Sequence, residues 1–177
     1  MFLKKISVSG GDPRELQAVF SDVPGIVDSF VGTIQTDEEC VQGLALHFDP
    51  KRIDLSMILD LLFAVVDPHL PDGQGDWRGP AYRAGVWYED EEDLPQLELY
   101  MNFLRNRGKS PAATNAKLTI NDPNTTKKVQ HCYAGIHRQN SFTAAPPMDQ
   151  HYYKTHDTSD AYIDFDKLRA YVKYSWE

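Results

Sequence analysis

The junction between the first predicted strand and the first predicted helix does most to constrain the fold of this chain. Apolar and polar side chains alternate over residues 3–8, which predicts a β-strand that a glycine pair ends. Asp12 follows as a predicted helix N-cap, with Pro13 at the first helical position and Glu15 placed to complete a capping box. The next apolar residues share one helix face: Leu16, Val19, Phe20 and Val23. The fold therefore opens with a strand joined tightly to an amphipathic helix.

Strands and helices are predicted to alternate along the rest of the chain. The short connection between residues 25–34 and 40–48 indicates a hairpin. Asp54 is the predicted cap of a second helix, which ends at Asp67-Pro68. The remaining predicted elements are a strand at 82–89, a helix that begins in the acidic run 89–93 and closes at Gly108, a strand at 116–120 and a helix at 164–174.

This order of elements predicts an α+β protein. Two β-α-β units followed by a helix and a strand match the split β-α-β arrangement of ferredoxin-like two-layer sandwiches. We therefore expect a mixed sheet with helices packed on it, in a single domain over residues 1–177. Residues 121–160 are polar and contain Pro, Asn and Thr throughout, so we expect an irregular segment there.

Composition and charge argue against several classes of protein. The formal net charge of −8 argues against nucleic acid as a partner, because phosphate binding needs excess Lys and Arg. No stretch approaches the ~20 apolar residues of a membrane span, and the N-terminus lacks the apolar core of a signal peptide. The two cysteines do not make a disulfide framework, and the histidines show no metal-binding spacing. We expect a cytoplasmic protein with reduced thiols, no metal and no cofactor.

One segment departs from the acidic balance of the chain. Between residues 105 and 140, the lysines and arginines are accompanied by a single acid, Asp122. A basic segment of this kind is commonly a solvent-exposed surface. It could also form a contact surface for an anionic partner, which we keep as one hypothesis for function.

Several motifs follow one another in an order known from one family. They are the stretch from Gly11 to Gly25, then "LHFDPKRI", "FAVVDPH" and "GQGDWRGPAYRAGVWY", and late in the chain "FTAAPPMDQHYY". Together they resemble the motifs of the A-type peptide methionine sulfoxide reductases, which reduce the S epimer of methionine sulfoxide. The stretch from Gly11 to Gly25 lies in the register of that family's Gly-Cys-Phe-Trp-Gly, helix and Phe-x-x-x-Pro-Gly pattern. The resemblance implies the family's two-layer fold and a small pocket that receives a methionine side chain.

The chemistry of this family explains which residues it needs. A cysteine thiolate at a helix N-terminus attacks the sulfoxide sulfur, because this position lowers the pKa of the thiol. An acid donates a proton as the S–O bond breaks. Aromatic rings hold the methyl group, and tyrosine hydroxyls hold the oxygen. A second thiol then resolves the sulfenic acid.

The chain departs from the family's pattern at the positions that carry this chemistry. Asp12 stands where the nucleophilic cysteine is expected, and Gln42 replaces the proton-donating acid. Trp77 stands in the register of the pocket aspartate, with Asp76 one place earlier. Tyr82 matches the remaining oxygen-binding tyrosine. The resemblance therefore implies that the chain keeps the fold of the family but lacks the nucleophilic cysteine.

Our leading hypothesis is a catalytically degenerate relative that binds a small molecule or a methionine-containing peptide in the inherited pocket. The candidate binding residues are Asp12, Gln42, Asp76, Trp77, Tyr82 and His151. A second hypothesis is an active reductase with a relocated nucleophile, Cys40, which shares a strand face with Gln42. Cys132 would resolve its sulfenic acid, and thioredoxin would be its partner. A third is an interaction module that uses the basic segment 105–140.

Overall fold

The computed structural model describes residues 2–107 and 131–176 and shows a mixed six-stranded sheet with helices packed on it. The strands are β1 (Lys4–Ser9), β2 (Ile26–Gln35), β3 (Cys40–Phe48), β4 (Gly73–Gln74), β5 (Trp77–Arg78), β6 (Gly85–Tyr88), β7 (Gly135–Arg138) and β8 (Ser141–Ala144). The helices are α1 (Pro13–Phe20), α2 (Leu55–Val65), α3 (Leu94–Arg107), α4 (Tyr152–Thr155) and α5 (Phe165–Trp176). Short 3-10 turns cover Pro80–Tyr82, Glu91–Asp93 and Pro147–Asp149.

The sheet has the strand order β7-β6-β1-β3-β2-β8, and β4 with β5 forms a separate two-stranded ribbon. Neighbouring strands of the large sheet are antiparallel except β6 and β7, which are parallel. Leu44 and Leu46 of β3 are fully buried in the main core, together with Leu16 and Phe20 of α1. The predicted α+β class with a mixed sheet is therefore confirmed.

The predicted start of α1 is confirmed at the level of single hydrogen bonds. Asp12 has an extended backbone, and its carboxylate accepts the Arg14 backbone N–H at 2.9 Å. Gly11 has a φ of 73°, and a Cβ there would lie 2.8 Å from the Cβ of Gln74. The Gly11 N–H donates to the Tyr82 carbonyl at 3.0 Å. The glycine thus lets the start of α1 lie directly against the loop that contains residues 74–82.

The second half of the predicted capping box is wrong. Glu15 is 2% exposed, and its carboxylate accepts the backbone N–H of Ile163 at 3.0 Å. A capping box would instead place this carboxylate on the N–H of Asp12. Glu15 is directed away from that N–H because it holds the segment that leads into α5.

The larger helices bury one face each. Asp54 caps α2 by accepting the Met57 backbone N–H at 2.9 Å, as predicted, and α3 lies against α2. The helix behind the acidic run is confirmed, although a 3-10 turn precedes it. Within the described ranges, no helix combines the length and apolar character needed to cross a bilayer.

The described part of the segment 121–160 is more regular than we expected. β7 pairs with β6, and β8 pairs with β2, so both belong to the large sheet. Each strand has only four residues, mostly half-buried or exposed, so the run is too short for alternation to indicate it clearly. The predicted strand at 116–120 and the closing Gly108 lie outside the described residues. The predicted strand at 82–89 is shorter, because a 3-10 turn holds Tyr82.

Leu16 provides a test of the main core. Leu16→Ala should lower the free energy of unfolding by about 2–5 kcal/mol, because it leaves a cavity under α1 where Leu16 is 0% exposed. Leu99→Ala, a leucine of α3 that is 72% exposed, should change it by less than about 0.5 kcal/mol. Urea denaturation of both variants provides the measurement, and equal effects would contradict this description of the core.

Candidate functional site

The N-terminus of α1 holds a buried ion pair. Asp12 is 3% exposed, and both of its carboxylate oxygens accept hydrogen bonds from the Arg14 side chain. The distances are 3.2 Å from Arg14 Nε to Oδ1 and 3.2 Å from Arg14 Nη2 to Oδ2. Burial opposes the charge of Arg14, but the hydrogen bond and charge of Asp12 outweigh it, so the pKa of Arg14 is raised. The carboxylate is therefore engaged by both the helix and the guanidinium.

Aromatic rings lie around the guanidinium of Arg14. Its Cζ is 4.3 Å from the centre of the Tyr152 ring and 5.6 Å from the centre of the Trp77 ring. These distances fall within the range of cation–π contacts. Tyr82 meets Trp77 edge to face, with 5.3 Å between ring centroids. The structure thus brings Asp12, Trp77 and Tyr82 into one group, which also contains Arg14 and Tyr152.

Of the two candidate residues in the β4–β5 ribbon, Asp76 and Trp77, only Trp77 contacts this group. Asp76 lies between β4 and β5 and is exposed, whereas Trp77 is half-buried and contacts Arg14 and Tyr82. Gln74 is 2% exposed and holds the ribbon to the end of α2, because its side chain accepts the Asp67 N–H and donates to the Asp67 carbonyl. Trp77 therefore lines the site, and Asp76 lies outside it.

Gln42 and His151 form hydrogen bonds that do not involve the ion pair. The Gln42 amide donates to the Thr33 hydroxyl at 3.2 Å, across the β2–β3 pair. His151 has an exposed side chain and a left-handed backbone with a φ of 54°. Its backbone N–H donates to Gln17 Oε1 at 2.6 Å. Neither hydrogen bond runs to Asp12, although His151 lines the same cleft as Arg14.

Sequence reasoning missed two glutamines, one buried and one half-buried, that hold the C-terminal segment against α1. Gln17 is 0% exposed, and its amide donates to the Ser29 carbonyl at 3.0 Å and to Gln150 Oε1 at 3.2 Å. The Gln150 side chain accepts the Val31 N–H and donates to the Val31 carbonyl, both at 2.8 Å. The sequence offered one signal for them: Gln17 is a polar residue that directly follows the core residue Leu16 in α1.

Tyrosines next to His151 were also missed. Tyr152 stacks on His156 with 3.8 Å between ring centroids and contacts Arg14. Burial, followed by the charges of Asp12 and Glu15, raises the pKa of Tyr153 to about 12. Burial also raises the pKa of Glu15. Tyr153 is therefore a persistently protonated hydroxyl beside two carboxylates.

The two thiols lie apart from this group and from each other. Cys40 is an exposed free thiol at the start of β3, and Cys132 is a half-buried free thiol before β7. β3 and β7 are separated by β1 and β6, which corresponds to about 14 Å at normal strand spacing. Burial raises the pKa of Cys132, which disfavours its thiolate. The structure does not bring the proposed nucleophile and resolving thiol together.

Glu39, the residue before Cys40, forms an ion pair with Arg83. Burial lowers the pKa of Arg83. Among the described residues, this arginine is therefore already paired with a carboxylate.

Two further predictions concern the basic segment and metals. Most of the segment 105–140 lies outside the described residues, so its role as a contact surface stays a prediction. Arg138, within the described part, pairs with Glu91 at 2.8 Å.

In residues 2–107 and 131–176, no group of three or more His, Cys, Asp or Glu is placed to hold a metal ion.

The fold and the site together define a class: an α+β protein with a mixed sheet, in which a helix N-terminus lies beside an aromatic group. The family model described as "Peptide methionine sulfoxide reductase" matches residues 4–177. The chain belongs to this family. The fold and family expected from the motifs are thereby confirmed.

Known relatives and solved structures agree with this assignment. The chain is 29% identical over 129 residues to peptide methionine sulfoxide reductase MsrA of Clostridium tetani, which covers 66% of this chain and 79% of that protein. It is 31% identical over 105 residues to MsrA of Clostridium acetobutylicum, which covers 52% of this chain and 65% of that protein. Reduced Mxr1 from Saccharomyces cerevisiae has a similar fold, with a TM-score of 0.70 and 18% identity over 90% of this chain and 89% of that one.

Tyr153 provides a test of the charges at the site. It should ionise near pH 12, above the usual value of about 10. Asp12→Asn should lower this pKa, because it removes a negative charge but keeps an acceptor for the helix. Since the folded pKa lies above the unfolded one, Tyr153 should make the protein less stable as pH rises from about 10 through 12.

Titration of ¹³C-labelled tyrosine by NMR measures this pKa, and the signal lost in Tyr153→Phe identifies the residue. An unchanged pKa in Asp12→Asn, or ionisation together with exposed tyrosines near pH 10, would contradict the described arrangement.

Proposed function

We propose that this family member has lost reductase activity and binds a small molecule or a methionine side chain of a peptide at the group around Arg14. One observation carries the proposal: the N-terminus of α1 presents a carboxylate engaged by Arg14, whereas both thiols lie elsewhere. Asp12, Trp77 and Tyr82 are the proposed binding residues. Gln42, Asp76 and His151 stay predictions, and we assign them no part in the first contacts with the ligand.

The chemistry of sulfoxide reduction explains why Asp12 cannot replace a thiol. Converting a sulfoxide to a thioether requires two electrons from the attacking atom. A thiolate sulfur supplies them and becomes a sulfenic acid, which another thiol returns to the reduced state. A carboxylate oxygen has no comparable oxidised state, so an aspartate at this position can bind and orient but cannot reduce.

The arrangement of the site supports a binding role. Trp77 and Tyr82 offer ring faces and edges to an apolar or cationic group, and the Tyr153 hydroxyl remains protonated at neutral pH. Recognition sites commonly combine such aromatic walls with a few polar groups that orient the ligand. Arg14 lies among these rings, so a ligand that enters between them must either contact its guanidinium or displace it.

A turnover assay tests the loss of activity. The purified chain should reduce free and peptide-bound methionine S-sulfoxide with dithiothreitol at least about 10³-fold more slowly than the Clostridium tetani relative, because its helix N-terminus lacks a nucleophile. The variants Cys40→Ser and Cys132→Ser should not change this residual rate.

The same assay separates the proposal from its main alternative. Turnover comparable with the relative that disappears in Cys40→Ser would overturn the proposal and favour a relocated thiol, which is exposed and therefore accessible. Loss of multiple turnover in Cys132→Ser would then assign resolution to Cys132. In that outcome thioredoxin becomes the candidate reductant; a solved structure describes the relative Mxr1 in complex with Trx2.

Ligand-induced thermal stabilisation tests the binding role. At ten times its dissociation constant, a methionine derivative or small amide that binds should raise the melting temperature by about 3–6 °C. Trp77→Ala should abolish the shift by removing one aromatic wall. Phe2→Ala, which removes an aromatic ring that is 74% exposed, should preserve it. A shift that survives in Trp77→Ala would place the ligand elsewhere.

A further inference from the structure

A second concave site lies on the other side of Arg14. A cleft of about 420 Å³ extends along α1 towards α4 and the start of α5. This volume falls within the range of about 300–1,000 Å³ that is typical of small-molecule sites. It adjoins the group around Trp77 through Arg14 and Tyr153, which both line the cleft. The cleft is thus a candidate site separate from the inherited pocket.

The floor of the cleft is apolar. Val19 and Val23 contribute from α1 and the turn after it, and Phe165 and Leu168 contribute from α5. Val19, Val23 and Leu168 are each less than 10% exposed, so they form a firm surface that belongs to the main core. Burying an apolar ligand here would be favourable at about 25 cal/mol for each Å² removed from water.

The rim of the cleft carries cations. Lys154 of α4 and Arg169 of α5 line it together with Arg14, whereas Asp22 is the single lining acid. Among the described residues, Lys154 forms no ion pair with a carboxylate. Arg169 lies 3.6 Å from Asp166, but both side chains are highly exposed, and such pairs are weak. Because Arg14 is already paired with Asp12, the positive charge of the rim comes from Lys154 and Arg169, in a chain whose net charge is −8.

We propose that this cleft binds a small apolar carboxylate, with its hydrocarbon part against Val19, Val23 and Leu168 and its carboxylate at Lys154 and Arg169. Charge complementarity selects the anion, because a neutral ligand would leave Lys154 without a partner and a cation would meet like charge. The proposal goes beyond the function at Trp77 and stands on different residues. It requires no reaction and no change at Asp12.

Calorimetric titration with octanoate tests the proposal. Octanoate should bind the full chain with a dissociation constant below about 1 mM. Octan-1-ol and octylammonium have the same chain with no charge or a positive charge, and each should bind at least about tenfold more weakly. Because the protein is acidic overall, non-specific attraction would favour octylammonium instead.

Matched variants locate the site. Lys154→Glu should weaken octanoate binding by about tenfold, because it replaces attraction by repulsion. Lys167→Glu, a similar change on an exposed lysine that does not line the cleft, should leave the affinity unchanged. Ala18→Trp should block binding by filling the cleft, and the Lys154 and Lys167 pair remains decisive if that variant does not fold.

Three outcomes would overturn the proposal: no octanoate binding below about 1 mM, equal affinity for octan-1-ol, or equal effects of the two lysine variants. The result is independent of the proposed function. Lys154→Glu should leave the response to methionine derivatives intact, and Trp77→Ala tests that response alone.

Discussion

A carboxylate that is shielded from water at the start of α1 is the constraint on which the site depends. An ionised group in such a place requires a partner of opposite charge and saturated hydrogen bonds. Asp12 obtains both within one turn of helix, from the Arg14 backbone and the Arg14 side chain. Because Arg14 is held there, Trp77 and Tyr152 surround a guanidinium. The carboxylate at the start of α1 thus determines what the aromatic group encloses.

The same helix organises the C-terminal part of the described chain through polar contacts. Glu15 holds the backbone at Ile163, and Gln17 holds Gln150 and the backbone of His151. The side chains of Glu15 and Gln17 are both buried, and a buried polar group without a hydrogen-bond partner would lower the stability of the fold. Helix α1 therefore supports the site, the adjacent cleft and the segment that leads into α5.

Local patterns predicted the parts of the fold whose causes lie within a few residues. The caps at Asp12 and Asp54 are of this kind, because the acceptor and the donor are neighbours in sequence. The partner of Glu15 is 148 residues away, so a short motif favoured the wrong donor, the N–H of Asp12 instead of that of Ile163. The strands β7 and β8 have only four residues each, so alternation over such short runs does not single them out. Motif register placed Asp76 and Trp77 side by side, and only the turn of the β4–β5 ribbon separates their roles.

The Gln150 side chain has a consequence for association between molecules. β3 pairs with β2 along one side, whereas on the other side β8 pairs only with residues 32–35, so within the described residues the earlier half of β2 has an open edge. Gln150 satisfies both backbone groups of Val31, and Gln17 occupies the carbonyl of Ser29. Side-chain amides here act as a substitute strand. They cap an open sheet edge that could otherwise template aggregation with another chain.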